Sequence, residues 1–153
     1  MADDRPLTVA ETWTARSVFG NAINYSRVWV HRGKYIFFQP DDTAMTPNGE
    51  LYFPEPVYKA DFTTNANDRS WLIHELTHVW QYQHGVNVIL AAPFSRNYDY
   101  GKITATTNFA KLNIEQQAAL VADYYLIQHG LAPYHGSGTL AEYRAVVPFK
   151  PVP

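Results

Sequence analysis

The sequence of 153 residues contains no cysteine. Disulfides and thiolate metal sites are thereby excluded, so any metal has to be held by His, Asp or Glu. Long apolar runs are missing too. The longest, VNVILAAPF, is about half of a membrane-spanning length and is broken at Pro93. The opening residues MADDRPLTVAE carry neither a basic n-region nor an apolar h-region, so no secretory signal is expected. The chain should be cytoplasmic as made, and any export would use a route independent of a signal peptide. Excess positive charge is also absent. Twelve Lys and Arg face fourteen Asp and Glu, for a net charge of −2, with no basic block. Nucleic acid and anionic membranes are therefore poor partners.

What is present suits one compact domain over residues 1–153. Apolar residues make up 46% and aromatic ones 15%, with eleven tyrosines and four tryptophans. Rings in such number serve a core, or line a groove for peptide or sugar. The punctuation reads as α+β. Thr8 and Glu11 form a capping-box pattern that opens a helix to Phe19, before Gly20. Arg27–His31 alternates like a strand, and a turn at Arg32, Gly33 and Lys34 predicts a hairpin with Tyr35–Gln39. Asn48-Gly49 precedes a short strand, Glu50–Phe53, which Pro54 and Pro56 mark as an edge. A helix is expected from about Asp68 to His84, then a loop PFSRNYDYGK. Another helix follows from Asn113, capped with Gln116, to Gly130. The pair Thr139 and Glu142 opens a last short helix, and an extended tail VVPFKPVP closes the chain. The expectation is a small antiparallel sheet with three or four helices.

One stretch carries chemistry. WLIHELTHVWQ places His74, Glu75 and His78 in the pattern H-E-x-x-H. On a helix the two histidines stand about 40° apart on one face and can close on one ion. Neutral imidazoles suit zinc, and Glu75, offset round the helix, can take a proton from a water without being a ligand. Leu72, Ile73, Leu76, Val79 and Trp80 form the apolar side, while His74, His78 and Gln81 lie opposite, an arrangement that also fits plain solvated histidines. Downstream, Glu115 shares a helix face with Ala118, Ala119 and Ala122. Small residues there let a neighbouring helix come close enough for Glu115 to complete a His2Glu set. The ordinary alternative is a first-turn glutamate favoured by the helix dipole.

HELTHVWQ followed by EQQA resembles the zincin metallopeptidases whose third ligand is a glutamate on a later helix, the gluzincin arrangement. More narrowly, ARSVFGNAINYSRVWVHRGK, AMTPNGELYF, HELTHVWQYQHG and EQQAALVADYY resemble small bacterial HExxH domains related to Vgr proteins and type VI secretion. The resemblance covers most of residues 8 to 125. It implies a zincin-like fold, a zinc ion held by His74, His78 and Glu115, and Glu75 as general base. It implies a peptide or protein substrate laid along an edge strand near the metal helix, with Glu50, Leu51, Tyr52 and Phe53 as the candidate strand. Proteins of a secretion apparatus are the implied partners. Many relatives of this kind carry Asp four residues after the ligand glutamate. Ala119 stands there in this chain, so Asp123 becomes the candidate to orient an imidazole.

A donor for the developing oxyanion is sought among Tyr98, Tyr100, His129 and His135, with Tyr100 favoured. His31 and His84 read as surface or strand-end residues. The activity expected is amide hydrolysis, most simply of peptide bonds. The rivals are an amidase acting on cell-wall stem peptides and a non-enzymatic secretion adaptor in which zinc staples two helices.

Overall fold

The computed structural model describes residues 4–91 and 97–150. The first part of the expected loop after Pro93, and the last residues of the tail, lie outside the described residues. In chain order the elements are β1 (Arg5–Pro6), α1 (Val9–Phe19), β2 (Trp29–Arg32), β3 (Leu51–Phe53), α2 (Ala66–Gln83), α3 (Val88–Ala91), β4 (Gly101–Lys102), α4 (Ile114–Gln128), β5 (Gly136–Ser137) and α5 (Leu140–Val146).

Local chemistry sets the helix starts. All three expected capping boxes form: Thr8 with Glu11, Asn113 with Gln116, and Thr139 with Glu142. Each satisfies two backbone groups that the first turn would otherwise leave bare. Asn65 caps α2 by accepting from the Asp68 N–H.

The sheet differs from expectation. The strand at Arg27–His31 exists as β2, but the predicted hairpin partner Tyr35–Gln39 is not a strand. It is a knot of turns closed by Gln39. The Gln39 side-chain carbonyl accepts from the Tyr35 N–H at 2.7 Å, while its amide donates to the carbonyls of Thr43 at 2.7 Å and Tyr52 at 3.1 Å. A buried amide with three such bonds outcompetes a ladder that would have exposed both faces. β2 therefore pairs antiparallel with β1 and parallel with β3, giving the order β1-β2-β3 and a mixed sheet instead of an antiparallel one. A second, two-stranded parallel pair joins β4 and β5.

The core lies where α2 meets this sheet, α1 and α4. Leu72, Ile73, Leu76 and Val79 on α2 are fully buried, together with Val18 and Phe19, Leu51 and Phe53, and Leu120 and Val121. Phe53 stacks on Phe62 with ring centroids 4.1 Å apart, and Trp71 meets both edge-on. The apolar side of α2 is thus committed to the core, which turns its histidines toward α4. The most extensive helix pairing in the fold is α2 on α4. Ala118 and Ala119 are buried there, as small residues at a close helix crossing should be.

Candidate metal centre

Because α2 and α4 pack closely, residues from both converge. Glu115 Oε1 lies 2.8 Å from His78 Nε2 and 3.2 Å from His74 Nε2. The three ligand atoms lie within 4.8 Å of one another. Tetrahedral zinc with bonds near 2.1 Å sets its ligand atoms about 3.4 Å apart, so the two Glu115 contacts would open by roughly 0.6 Å and 0.2 Å to admit it. Two imidazoles and a carboxylate, none of them thiolate, are a donor set that zinc accepts.

The electrostatics of His78 and Glu115 reflect this proximity. Burial alone works against a charge on His78, but its hydrogen bond to Glu115 and the field of Glu115 and Glu75 outweigh it and push the imidazole up to about 9. Burial likewise opposes a charged Glu115. Its hydrogen bonds with His74 and His78 prevail and hold the carboxyl well below its usual range.

These residues open onto a cleft of about 1030 Å³. Its walls are α2, α4, the 35–47 segment and the start of α3. Its described lining carries Asp42, Asp68, Glu75, Glu115 and Asp123 but no Lys or Arg, although Lys59 pairs with Asp68 from outside it. Glu75 lies in the same lining and accepts a hydrogen bond from Thr46 Oγ1 at 2.7 Å.

Several supporting assignments move. Asp123 does not reach either imidazole. Its carboxylate accepts from the Tyr100 hydroxyl at 2.6 Å and from the backbone N–H groups of Tyr134 and His135 at 2.8 and 3.0 Å, so it pins the 134–135 loop. The residue that holds an imidazole is Gln81. Its Oε1 lies 2.8 Å from His78 Nδ1, and its amide donates to Ile114 O and Gln117 Oε1 on the α4 side. Gln81 is fully buried, not solvated. The signal for it was present in the sequence: it shares the face of His74 and His78, three residues past the second.

Tyr100, the favoured oxyanion donor, is not part of the described cleft lining. Its hydroxyl is spent on Asp123 and on the Tyr143 hydroxyl, and its ring lies against Gly136, where any Cβ would collide with it. Burial, then the hydrogen bond to Asp123, hold the phenol protonated far above its usual range. Tyr98 and His135 do line the cleft. The Tyr98 ring is 5.8 Å from that of His74 and 5.6 Å from that of His135. His129 caps the end of α4 against Tyr125, away from the ligands. His84 caps α2 beside Trp80, and His31 stacks on Tyr52 between Asp4 and Glu50.

The candidate substrate strand Glu50–Phe53 is displaced from the cleft. Leu51 and Phe53 point into the core, and Tyr52 is paired on both sides, with His31 in β2 and with Met45. Met45 donates to Tyr52 O at 3.1 Å and accepts from Tyr52 N at 2.8 Å. Within the 35–47 wall, the stretch paired to β3 and lying between it and the cleft is Ala44–Pro47. No short-range sequence signal distinguished it from loop.

Fold and site together define a small α+β domain whose two longest helices bring a His2Glu cluster and a neighbouring glutamate to one cleft. A scan against protein-family models finds no match. The solved effector domain of Pseudomonas aeruginosa VgrG2b superposes with a TM-score of 0.77 at 34% identity, over 92% of this chain and 79% of that one. The type VI secretion system spike protein VgrG2b of that organism is 39% identical over 132 residues, 80% of this chain and 13% of the spike protein's length. The chain belongs to the family of the VgrG2b effector domain. It matches only a small part of the whole spike protein.

Proposed function

We propose that this chain is an effector domain with zinc-dependent amide hydrolase activity, acting on peptide bonds through a zincin-like fold. The observation that carries the reading is the convergence of His74, His78 and Glu115 from two helices beside Glu75 on one cleft. The likeness to a type VI spike protein's effector domain supports delivery by such an apparatus, with no signal peptide needed, and supports secretion-apparatus proteins as partners.

His74, His78 and Glu115 would hold the ion. Zinc so held acidifies water and polarises an amide carbonyl. Glu75 takes the proton that the attacking water gives up as its oxygen joins the carbonyl carbon. As the C–N bond breaks, Glu75 hands that proton to the departing amine. Tyr98 or His135, both in the cleft wall, replaces Tyr100 as donor to the oxyanion. The peptide lies against Ala44–Thr46 instead of β3. Both main-chain groups of Met45 face Tyr52, so those of Ala44 and Thr46 alternate toward the opposite edge, where a strand can add.

A metal that only stapled α2 to α4 would call for no cleft of this size and no second glutamate in it. That weighs against the adaptor reading. Cell-wall stem peptides fit the same cleft chemistry, and substrate profiling separates them from ordinary polypeptide.

The test combines metal analysis with turnover on a broad peptide library that includes stem peptides. Wild type should bind one zinc and cleave; Glu75→Gln should keep the zinc and lose turnover; His74→Ala should lose the zinc. Full zinc binding without cleavage of any library member would turn the assignment toward the adaptor.

A further inference from the structure

We propose that Thr46 is a positioning residue that fixes the carboxylate of Glu75 for proton transfer; this rests on the hydrolase reading. The Thr46 hydroxyl donates to Glu75 Oε1 at 2.7 Å, and the two residues are only 4% and 5% exposed. A buried threonine ordinarily bonds a carbonyl within its own turn of chain. This one reaches 29 residues along the sequence to the glutamate of the H-E-x-x-H motif.

The hydroxyl is itself held firmly. Thr46 follows Met45, whose N–H and C=O are both bonded to Tyr52 of β3. It precedes Pro47, which restricts it to extended backbone. Its β-branch limits the rotamer. The sheet is thus tied through one hydroxyl to a carboxylate on α2. A glutamate has three side-chain torsions, and a base free to swing would spend little time aligned with its proton. Tethering Oε1 reduces that freedom and assigns the second oxygen to the water. The Thr46 main chain borders the peptide, but its hydroxyl, bonded to Glu75, meets neither metal ligand nor substrate in this role. It acts through Glu75.

The experiment compares wild type, Thr46→Val, Thr46→Ser and Glu75→Gln, all zinc-loaded, on a peptide taken from the library screen. Metal content, thermal midpoint, kcat, KM and crystal structures are read for each. Thr46→Val should keep its zinc and lower kcat by about tenfold to a hundredfold, the scale of a misplaced catalytic group, with KM within about twofold. Thr46→Ser should recover to within about threefold of wild type, since it restores the hydroxyl but not the methyl. The Thr46→Val structure should show the Glu75 carboxylate moved. Should the valine variant fail to fold, Thr46→Ala is read against the same expectations.

Undiminished kcat in Thr46→Val, alongside a cleaving wild type and a dead Glu75→Gln, overturns the role of Thr46 and leaves the hydrolase standing. A serine variant as slow as the valine variant also overturns it, because shape and not the hydroxyl would then matter. A wild type that cleaves no peptide overturns the hydrolase reading and the role of Thr46 with it.

Discussion

His78 carries the most information of any single residue. It is held from both ends, by Glu115 at Nε2 and by Gln81 at Nδ1, and it is pushed up to about 9 from 6.5. In metal-free protein a group raised in this way adds stability that is complete below about 6.5 and is lost as pH climbs through about 9. Glu115 is depressed from 4.5, so its share is present above 4.5 and is lost only as pH falls below that. The pair is therefore most stabilising between those two ordinary values. The melting temperature of chelated protein should decline from pH 6.5 toward 9, and Glu115→Gln should flatten that decline. A cation must displace the His78 proton, so apparent affinity should tighten with rising pH, at most about tenfold per unit for one proton. Calorimetry in buffers of different ionisation enthalpy measures the release. Replacing Gln81 by Leu should weaken zinc binding by about 10- to 100-fold, the usual cost of losing a partner that orients a ligand, in a chelator competition assay. Unchanged affinity would mean that α2 alone fixes the imidazole.

At the scale of elements, legibility divides by range. Helix starts depend on residues three apart, and all three capping boxes were readable. The H-E-x-x-H face was readable for the same reason, and the alanine seam pointed to Glu115. What failed were the strand pairing and the partners of the supporting side chains, both decided at a distance. The alternation of RVWVH correctly marked a strand, but nothing local told that Gln39 would fold Tyr35–Thr43 into turns and leave β2 to pair with β1 and β3. Asp123 and Tyr100 are engaged elsewhere than expected, bonded to each other, to Tyr143 and to the 134–135 loop rather than to an imidazole of the His74–His78 pair. Gln39→Leu tests the account of the sheet. It removes three bonds from a buried site and should cost about 1–3 kcal/mol, more if the abandoned groups stay dry. The loop it closes borders the cleft, so limited proteolysis should also cut within 35–43 faster. A stable, uncut variant would show that Met45–Tyr52 pairing suffices to hold the segment.

At the scale of the whole molecule, the N-terminal strand is locked to the body by an ion pair whose acidic partner is fully buried. Glu11 is fully buried, and Arg5 meets it with two bonds, 2.8 and 3.1 Å. The same guanidinium reaches the Tyr58 hydroxyl and Lys59 O, while Glu11 also accepts from the backbone N–H groups of Thr8 and Phe62. One carboxylate thus joins β1, the start of α1 and the chain entering α2. Such a pair need not exceed an apolar substitute in stability, but breaking it strands a charge, at a cost of about 3–5 kcal/mol. Glu11→Ala should therefore lower the melting temperature by roughly 6–20 °C, taking about 2–4 °C per kcal/mol for a domain of this size. Zinc affinity measured below the transition should stay at the wild-type value, because no atom of this network touches α4 or the ligand face of α2. Coupled loss of zinc and stability would instead mean that the sheet and the two ligand helices unfold as one cooperative unit with no reserve, and that the metal site depends on the N-terminal strap.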